Sequence, residues 1–330
     1  MKIGNQSIGL NYEPYIIAEM SGNHNQSLER ALKIVESAAD SGAHALKLQT
    51  YTADTITLDV KKGDFFIEDD KNLWNGNSLH GLYSKAYTPW EWHKPIMERA
   101  KELGMVCFSS PFDESAVDFL EDLDVVAYKI ASFENNHLPL IKKVAMMGKP
   151  VIISIGMASI DEIHEAVLTA RDAGCKDLVL LKCTSTYPAN PKNSNILTIP
   201  DMRKTFNCEV GLSDHTMGIG ASIAAVACGG TVIEKHFTLS RADGGVDSAF
   251  SIEPKELNML VKESKRAWES LGGVSYGPSE DEEKSLQFRR SIYISEDVKK
   301  GEFLTEDNLR IVRPGLGLHP RNYDLLLGKK

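Results

Sequence analysis

The chain has 330 residues, 42% of them apolar and 25% charged, which are the proportions of an ordinary globular protein and not of a disordered one. Thirty-seven Lys and Arg against 46 Asp and Glu leave a formal charge of −9, which excludes a broad basic surface for nucleic acid. No apolar run approaches the roughly 20 residues needed to span a bilayer, and residues 1–10 lack the apolar core of a signal peptide.

Residues 2–10 predict a small hairpin turning at Asn5–Gln6, placed at the bottom of a barrel. Residues 15–20 read as a strand that ends in Glu19. Ser27 then caps a helix with Leu28, Ala31, Leu32, Val35, Ala38 and Ala39 on one face, and Gly42 ends it. The second strand covers 43–49, with Lys47 and Gln49 sharing a face. Residues 50–86 predict a long irregular stretch rich in aromatics, among them Tyr51, Phe65, Phe66, Trp74 and Tyr83. Such a loop after a barrel strand serves as a lid or specificity loop; the blander reading is an insertion that only covers the barrel. Thr88, Pro89 and Glu91 predict a helix start with Thr88 as cap.

From there strands at 105–109, 125–130, 150–155, 178–183, 208–213 and 231–236 alternate with helices at 113–123, up to 147, 160–173, 218–228 and 253–271. The segment from 184 to 206 reads as looser. Eight strand–helix units in about 270 residues predict an α/β fold, a (β/α)8 TIM barrel. A doubly wound sheet would need a glycine-rich phosphate loop after an early strand, and neither GxGxxG nor a Walker sequence stands there. Composition shifts near residue 272, so that 1–272 read as the barrel, 273–287 as a linker and 288–330 as a small β-rich domain. In that last part, 291–294 and 311–314 predict strands around a turn at 298–302, too few residues to hold a core unaided. The five cysteines form no CxxC pair and read as reduced thiols of a cytoplasmic protein.

Gly211, Ser213 and His215 share one strand face, and Val232, Glu234 and His236 another. Two histidines at matching ends of consecutive strands can meet on one divalent ion, leaving positions for water and a substrate oxygen. The alternative is a pair of core histidines donating to backbone carbonyls. Lys47 and Lys129 face inward, where an unpaired ammonium is costly, so each needs an anion. That anion is either a substrate phosphate or carboxylate, or one of Glu19, Glu134 and Glu234. Ser132, Ser154 and Ser213 end three strands; singly they are caps, and together with two lysines they form a phosphate cradle. Glu19, Glu134 and Glu234 are the candidate acids and bases, and Gln49, Tyr187 and Asp247 could orient a hydroxylated substrate. A metal-free alternative is Schiff-base chemistry at Lys129 or Lys182; another is a non-catalytic sugar- or anion-binding protein.

Six stretches carry a resemblance: Ile17-Ala18-Glu19, Lys47-Leu48-Gln49-Thr50, Ser109-Ser110-Pro111-Phe112-Asp113, Tyr128-Lys129-Ile130-Ala131-Ser132, Gly211-Leu212-Ser213-Asp214-His215 and Glu234-Lys235-His236-Phe237-Thr238. With them the chain resembles the sialic-acid synthase family, which condenses phosphoenolpyruvate with a sugar. Lys300-Gly301-Glu302 and Arg313-Pro314-Gly315-Leu316-Gly317 are similar to that family's antifreeze-protein-like C-terminal (SAF) domain. The family tail usually continues for another strand beyond the position of Lys330, so this domain reads as shortened. Glu19–His24 and Thr88–Trp92 are most similar to the pseudaminic acid synthase branch; N-acetylneuraminate and legionaminic acid synthases are the alternatives within the family.

The resemblance implies a metal at His215 and His236, Mn²⁺ first, with Mg²⁺ or Co²⁺ as alternatives. It implies that Lys47, Lys129, Ser132, Ser154 and Ser213 bind phosphoenolpyruvate and that Glu134 positions a water. Glu19, Gln49, Tyr187, Glu234 and Asp247 would orient the acylamino sugar or handle protons, with Lys129 and the three glutamates as the catalytic set. Arg313 would reach the sugar of the partner protomer in a domain-swapped homodimer. For the pseudaminic acid branch the sugar is a 2,4-diacetamido-2,4,6-trideoxy-altrose, whose few hydroxyls suit the aromatic stretch at 50–90.

Overall fold

The computed structural model describes residues 1–70 and 73–330, so positions 71 and 72 of the predicted lid lie outside the described residues. The chain forms two compact units, Met1–Gly272 and Gly273–Lys330. The first opens with a hairpin of β1 (Lys2–Ile3) and β2 (Gln6–Ser7). Ile3 pairs with Gln6, so the turn falls on Gly4–Asn5, one residue earlier than expected. Gly4 takes φ +56°, the left-handed conformation such a tight turn requires.

Eight parallel strands follow: β3 (Tyr15–Glu19), β4 (Ala45–Thr50), β5 (Val106–Pro111), β6 (Tyr128–Ile130), β7 (Val151–Ser154), β8 (Leu178–Cys183), β9 (Glu209–Asp214) and β10 (Val232–His236). They close in order, with β10 pairing β3, into the TIM barrel expected from the sequence. Gly211 lets β9 and β10 approach: a Cβ there would meet the Val232 carbonyl oxygen at 1.9 Å.

The helices are α1 (Leu28–Asp40), α2 (Ala53–Ile56), α3 (Leu79–Ala86), α4 (Trp90–Glu102), α5 (Glu114–Asp122), α6 (Leu138–Met146), α7 (Ile160–Asp172), α8 (Thr198–Phe206), α9 (Gly220–Ala227) and α10 (Pro254–Glu269) in the first unit. Ser27 caps α1 by accepting from the Arg30 N–H, as its position predicts. Three expectations change. Pro89 occupies the cap position of α4, and the Thr88 hydroxyl goes instead to His24 Nε2, 3.2 Å away. The supposedly irregular stretch at 50–86 contains α2 and α3, capped by Thr52 and Ser78. The looser segment ends in α8, which buries Ile199, Met202 and Phe206 on one face despite its proline.

Strand parity divides the core. Inward rows begin apolar and end polar: Ile17 then Glu19, Ala45 then Lys47, Phe108 then Ser110, Ala127 then Lys129, Ile152 then Ser154, Leu181 then Cys183, Gly211 then Ser213, Val232 then Glu234. The lower, apolar members pack with Ile3, Ile8 and Tyr15 into a plug inside the barrel. Outward residues such as Ile16, Leu46, Ile130 and Leu180 pack against the helices. Polar groups are thereby confined to the C-terminal mouth, where barrel enzymes place their chemistry. No described helix is long and apolar enough to cross a membrane.

The second unit pairs β11 (Ser291–Ile294) with β12 (Leu309–Val312) in antiparallel fashion and ends in α11 (Tyr323–Leu326). Glu280–Phe288 forms 3-10 turns, and Gln287 accepts a hydrogen bond from the Gly315 N–H.

Candidate active site

A cavity of about 450 Å³ opens at the barrel mouth. Its floor carries Lys47, Gln49, Lys129, Ser132, Glu134, Ser154, Ser213, His215, Glu234 and His236, with Tyr187 and Asp247 on the walls. Twelve of the residues picked from sequence therefore line one space. Glu19 is buried beside it, and Arg313 belongs to the second unit. Lys182 is not among the lining residues: parity sets it on the outer face of β8, and its Nζ donates to the Cys183 carbonyl at 2.9 Å.

The floor is a chain of alternating charges. Lys47 Nζ sits 2.7 Å from Glu19 and 3.7 Å from Glu234, and donates to Ser110 at 3.1 Å. Burial alone would depress this ammonium, but the two carboxylates reverse the shift and raise it. Burial pushes the Glu19 carboxyl up, whereas Lys129 and Lys47 pull Glu234 down in spite of its burial. Lys129 is less closely paired. Its nearest carboxylate oxygen, on Glu234, is 3.9 Å away, and its Nζ donates to Ser154 at 2.7 Å and to the Ile130 carbonyl. Burial holds it below the usual ammonium range. An incoming anion thus finds in Lys129 a cation with attraction to spare. Gly156 stands next to this end of the cavity; a Cβ there would strike Ser185 Oγ at 2.2 Å and Ser132 Oγ at 2.7 Å.

Glu134 is the strongest proton-handling candidate. Burial raises its pKa to about 7, against the pull of Lys129, and its Oε2 has no hydrogen-bond partner. A carboxyl that titrates near neutrality can both take and return a proton.

The rings of His215 and His236 lie 5.3 Å apart, centre to centre. His215 Nδ1 is 2.9 Å from the Thr184 carbonyl, which can only accept, so Nδ1 donates and in the neutral ring Nε2 carries the lone pair. Burial opposes the ring's protonation, but Cys183, the Thr184 carbonyl and Glu234 outweigh it and raise its pKa. His236 is buried, its Nδ1 has no partner, and burial together with His215 and nearby lysines keeps it neutral, well below its ordinary pKa. Two imidazoles bound to one ion at about 2.0–2.1 Å place their ring centres about 5 Å apart, so the pair fits a shared metal. Among the described residues no set of three or more His, Cys, Asp or Glu converges as a closed metal site. Cys183 sits 3.8 Å from His215 Nδ1; burial opposes ionisation of its thiol, but His215, Ser132 and Lys129 more than offset this and bring it to about 7.

The roof is apolar. Ile56, Ile67, Leu79, Leu82 and Tyr83 all come from the stretch after β4, and Phe112 joins them. Tyr51 stacks edge-on against both Tyr83 and Phe112, and Trp74 Nε1 donates to the Val246 carbonyl at 3.1 Å. Tyr187 rests 4.5 Å from His215 and 5.1 Å from Phe250, ring to ring. The apolar roof comes chiefly from the aromatic stretch read from the sequence as a lid or specificity loop, whereas Ser21, Ser110, Gly156 and Cys183 were missed. The inward parity of Phe108 and Leu181 signals Ser110 and Cys183; the other residues lie on irregular backbone and carry no such mark.

Residues 34–276 match the model of the NeuB family, and residues 289–330 that of the SAF domain. The chain belongs to the NeuB family. Over its full length it is 44% identical to a pseudaminic acid synthase of Campylobacter jejuni, covering 95% of that protein. It is 41% identical to the pseudaminic acid synthase of Helicobacter pylori over 96% of this chain and 93% of that one. A crystal structure of the N-acetylneuraminic acid synthetase of Leptospira borgpetersenii superposes with a TM-score of 0.76 at 32% identity, covering 88% of this chain and 95% of the other. This NeuB barrel and its SAF unit agree with the family resemblance carried by the six sequence stretches.

Proposed function

We propose that this NeuB-family chain condenses phosphoenolpyruvate with a 2,4-diacetamido-2,4,6-trideoxy hexose of the altrose type, giving pseudaminic acid and phosphate. The observation that carries this reading is one cavity with a charged floor, two facing imidazoles and an apolar roof. The two pseudaminic acid synthases, at 41% and 44% identity, support the same choice of sugar. A relative with 38% identity, the N,N'-diacetyllegionaminic acid synthase of Campylobacter jejuni, is the alternative within the family.

In this account Lys129, with Ser154, Ser132 and Ser213, holds the phosphoenolpyruvate anion, and Lys47, clamped by Glu19 and Glu234, adds positive potential. C3 of the enol attacks the aldehyde carbon of the open-chain sugar, forming the new C–C bond while the aldehyde oxygen takes a proton. Water then adds at C2, with Glu134 removing its proton, and the tetrahedral product loses phosphate by C–O cleavage. His215 and His236 would hold a divalent ion, Mn²⁺ as the family resemblance implies, and such an ion when bound polarises a carbonyl. Gln49, Tyr187 and Asp247 orient the sugar, and the apolar roof receives its deoxy end and acetamido methyls. Arg313 is assigned to the sugar of a partner protomer in a swapped dimer.

The test is release of phosphate from phosphoenolpyruvate only in the presence of such a sugar. Deleting residues 285–330 should raise the sugar KM; unchanged kinetics would remove Arg313 from the site.

A further inference from the structure

Ser21 follows β3 at the cavity wall, and its backbone has φ +47°. A side chain is disfavoured in this left-handed region, whereas glycine adopts it freely. Gly22 is the very next residue, yet serine occupies the strained position. Its hydroxyl is fully engaged. It donates to Asp247 Oδ2 and accepts from Gln49 Nε2 at 3.1 Å. Gln49 Nε2 also donates to Glu19 Oε1 at 3.0 Å, which fixes the amide orientation and leaves Gln49 Oε1 as an acceptor. A hydrogen-bonded row thus runs from Glu19 through the half-buried Gln49 and Ser21 to Asp247, joining the barrel floor to the loop after β10.

That loop has other anchors. Asn23 donates to the Phe237 carbonyl and to Ser251, and Asn25 donates to the Gly244 carbonyl. Those contacts secure its backbone. The Ser21 hydroxyl instead joins two side chains that line the cavity, Gln49 and Asp247.

We infer that Ser21 is a positioning residue for the sugar: its hydroxyl, held by a strained backbone, sets Gln49 and Asp247 side by side as acceptors for the hydroxyl and amide N–H donors of an acylamino sugar. This inference rests on the proposed condensation. Without that hydroxyl Asp247, which reaches the row from a loop, would keep only its bond from the Gly22 N–H, and Gln49 only its bond to Glu19, so each would hold only part of its orientation. Phosphoenolpyruvate, placed by Lys129 and its serines, should not sense the change.

The test compares Ser21→Gly with Ser21→Ala. Both lose the hydroxyl, but glycine relieves the backbone and alanine does not, so their thermal stabilities should move apart. Positioning predicts that kcat/KM for the sugar falls by about tenfold or more in both variants, while the KM for phosphoenolpyruvate stays within about twofold. Wild-type values for the sugar in either variant, or a loss seen only in the less stable alanine variant, would overturn the positioning role alone. Failure of the wild-type protein to turn over any acylamino sugar would overturn the underlying reading and this inference with it.

Discussion

His215 and His236 face each other 5.3 Å apart, one anchored through Nδ1 to the Thr184 carbonyl and the other with its Nδ1 buried and unpartnered. His215→Ala and His236→Ala should each abolish turnover while leaving the far-ultraviolet spectrum unchanged. Saturating Mn²⁺ should raise the melting temperature of the parent protein, since a ligand at 100 times its Kd adds about 2.7 kcal/mol. Neither variant should show that rise. Full activity of either one in metal-stripped buffer would refute the shared ion.

Glu134 links stability to pH in a way that exposes its role. Its folded pKa of about 7 lies above the ordinary value of 4.5, so its contribution is fully present below pH 4.5 and is lost as pH rises through 7. Glu134→Gln should therefore be more stable than the parent at pH 8, by at most about 3 kcal/mol, and equal to it at pH 4.5. The same change should lower kcat by about a hundredfold or more. Denaturant melts at both pH values, set beside kcat, check the pair of effects.

His24 and His93 move in the opposite sense. Burial depresses both to about 4, so the folded state keeps them neutral. Stability from this source is complete above pH 6.5 and falls away as pH drops through 4, by up to about 3 kcal/mol for each ring. His93 Nε2 is bonded to Thr50, one residue beyond Gln49, so acid damage should begin next to the site. His93→Gln should flatten the acid limb of a melting-temperature profile; an unchanged limb would count against this origin.

The apolar roof makes a prediction about the sugar. A hydroxyl placed against Leu82 or Ile56 finds no partner there, whereas a methyl does. The 6-deoxy sugar should exceed its 6-hydroxy counterpart in kcat/KM by about 10- to 100-fold. Leu82→Asn should shrink that ratio by improving the hydroxylated substrate. Equal ratios in parent and variant would place the deoxy end elsewhere.

What could be read from the residues follows from strand parity. Because Lys47, Lys129, Ser213, Glu234 and His236 sit on regular strands, their side-chain direction was fixed by counting in twos; His215 lies one residue past β9 and its ring comes to 5.3 Å from that of His236. Ser21 and Asp247 meet only because two loops far apart in sequence converge, and no local period marks that. Thr88 shows a different failure: its hydroxyl could serve a helix or a histidine, and the tertiary contact with His24 won. Lys47 was open between a substrate anion and a carboxylate, and Glu19 at 2.7 Å decides its resting partner.

The most direct measurement follows phosphate from phosphoenolpyruvate across a panel of acylamino sugars with Mn²⁺ present. The account predicts release that depends on both sugar and metal, fastest with the 2,4-diacetamido-2,4,6-trideoxy-altrose. No release with any sugar, together with a borohydride-trapped adduct of pyruvate on Lys129, would contradict it.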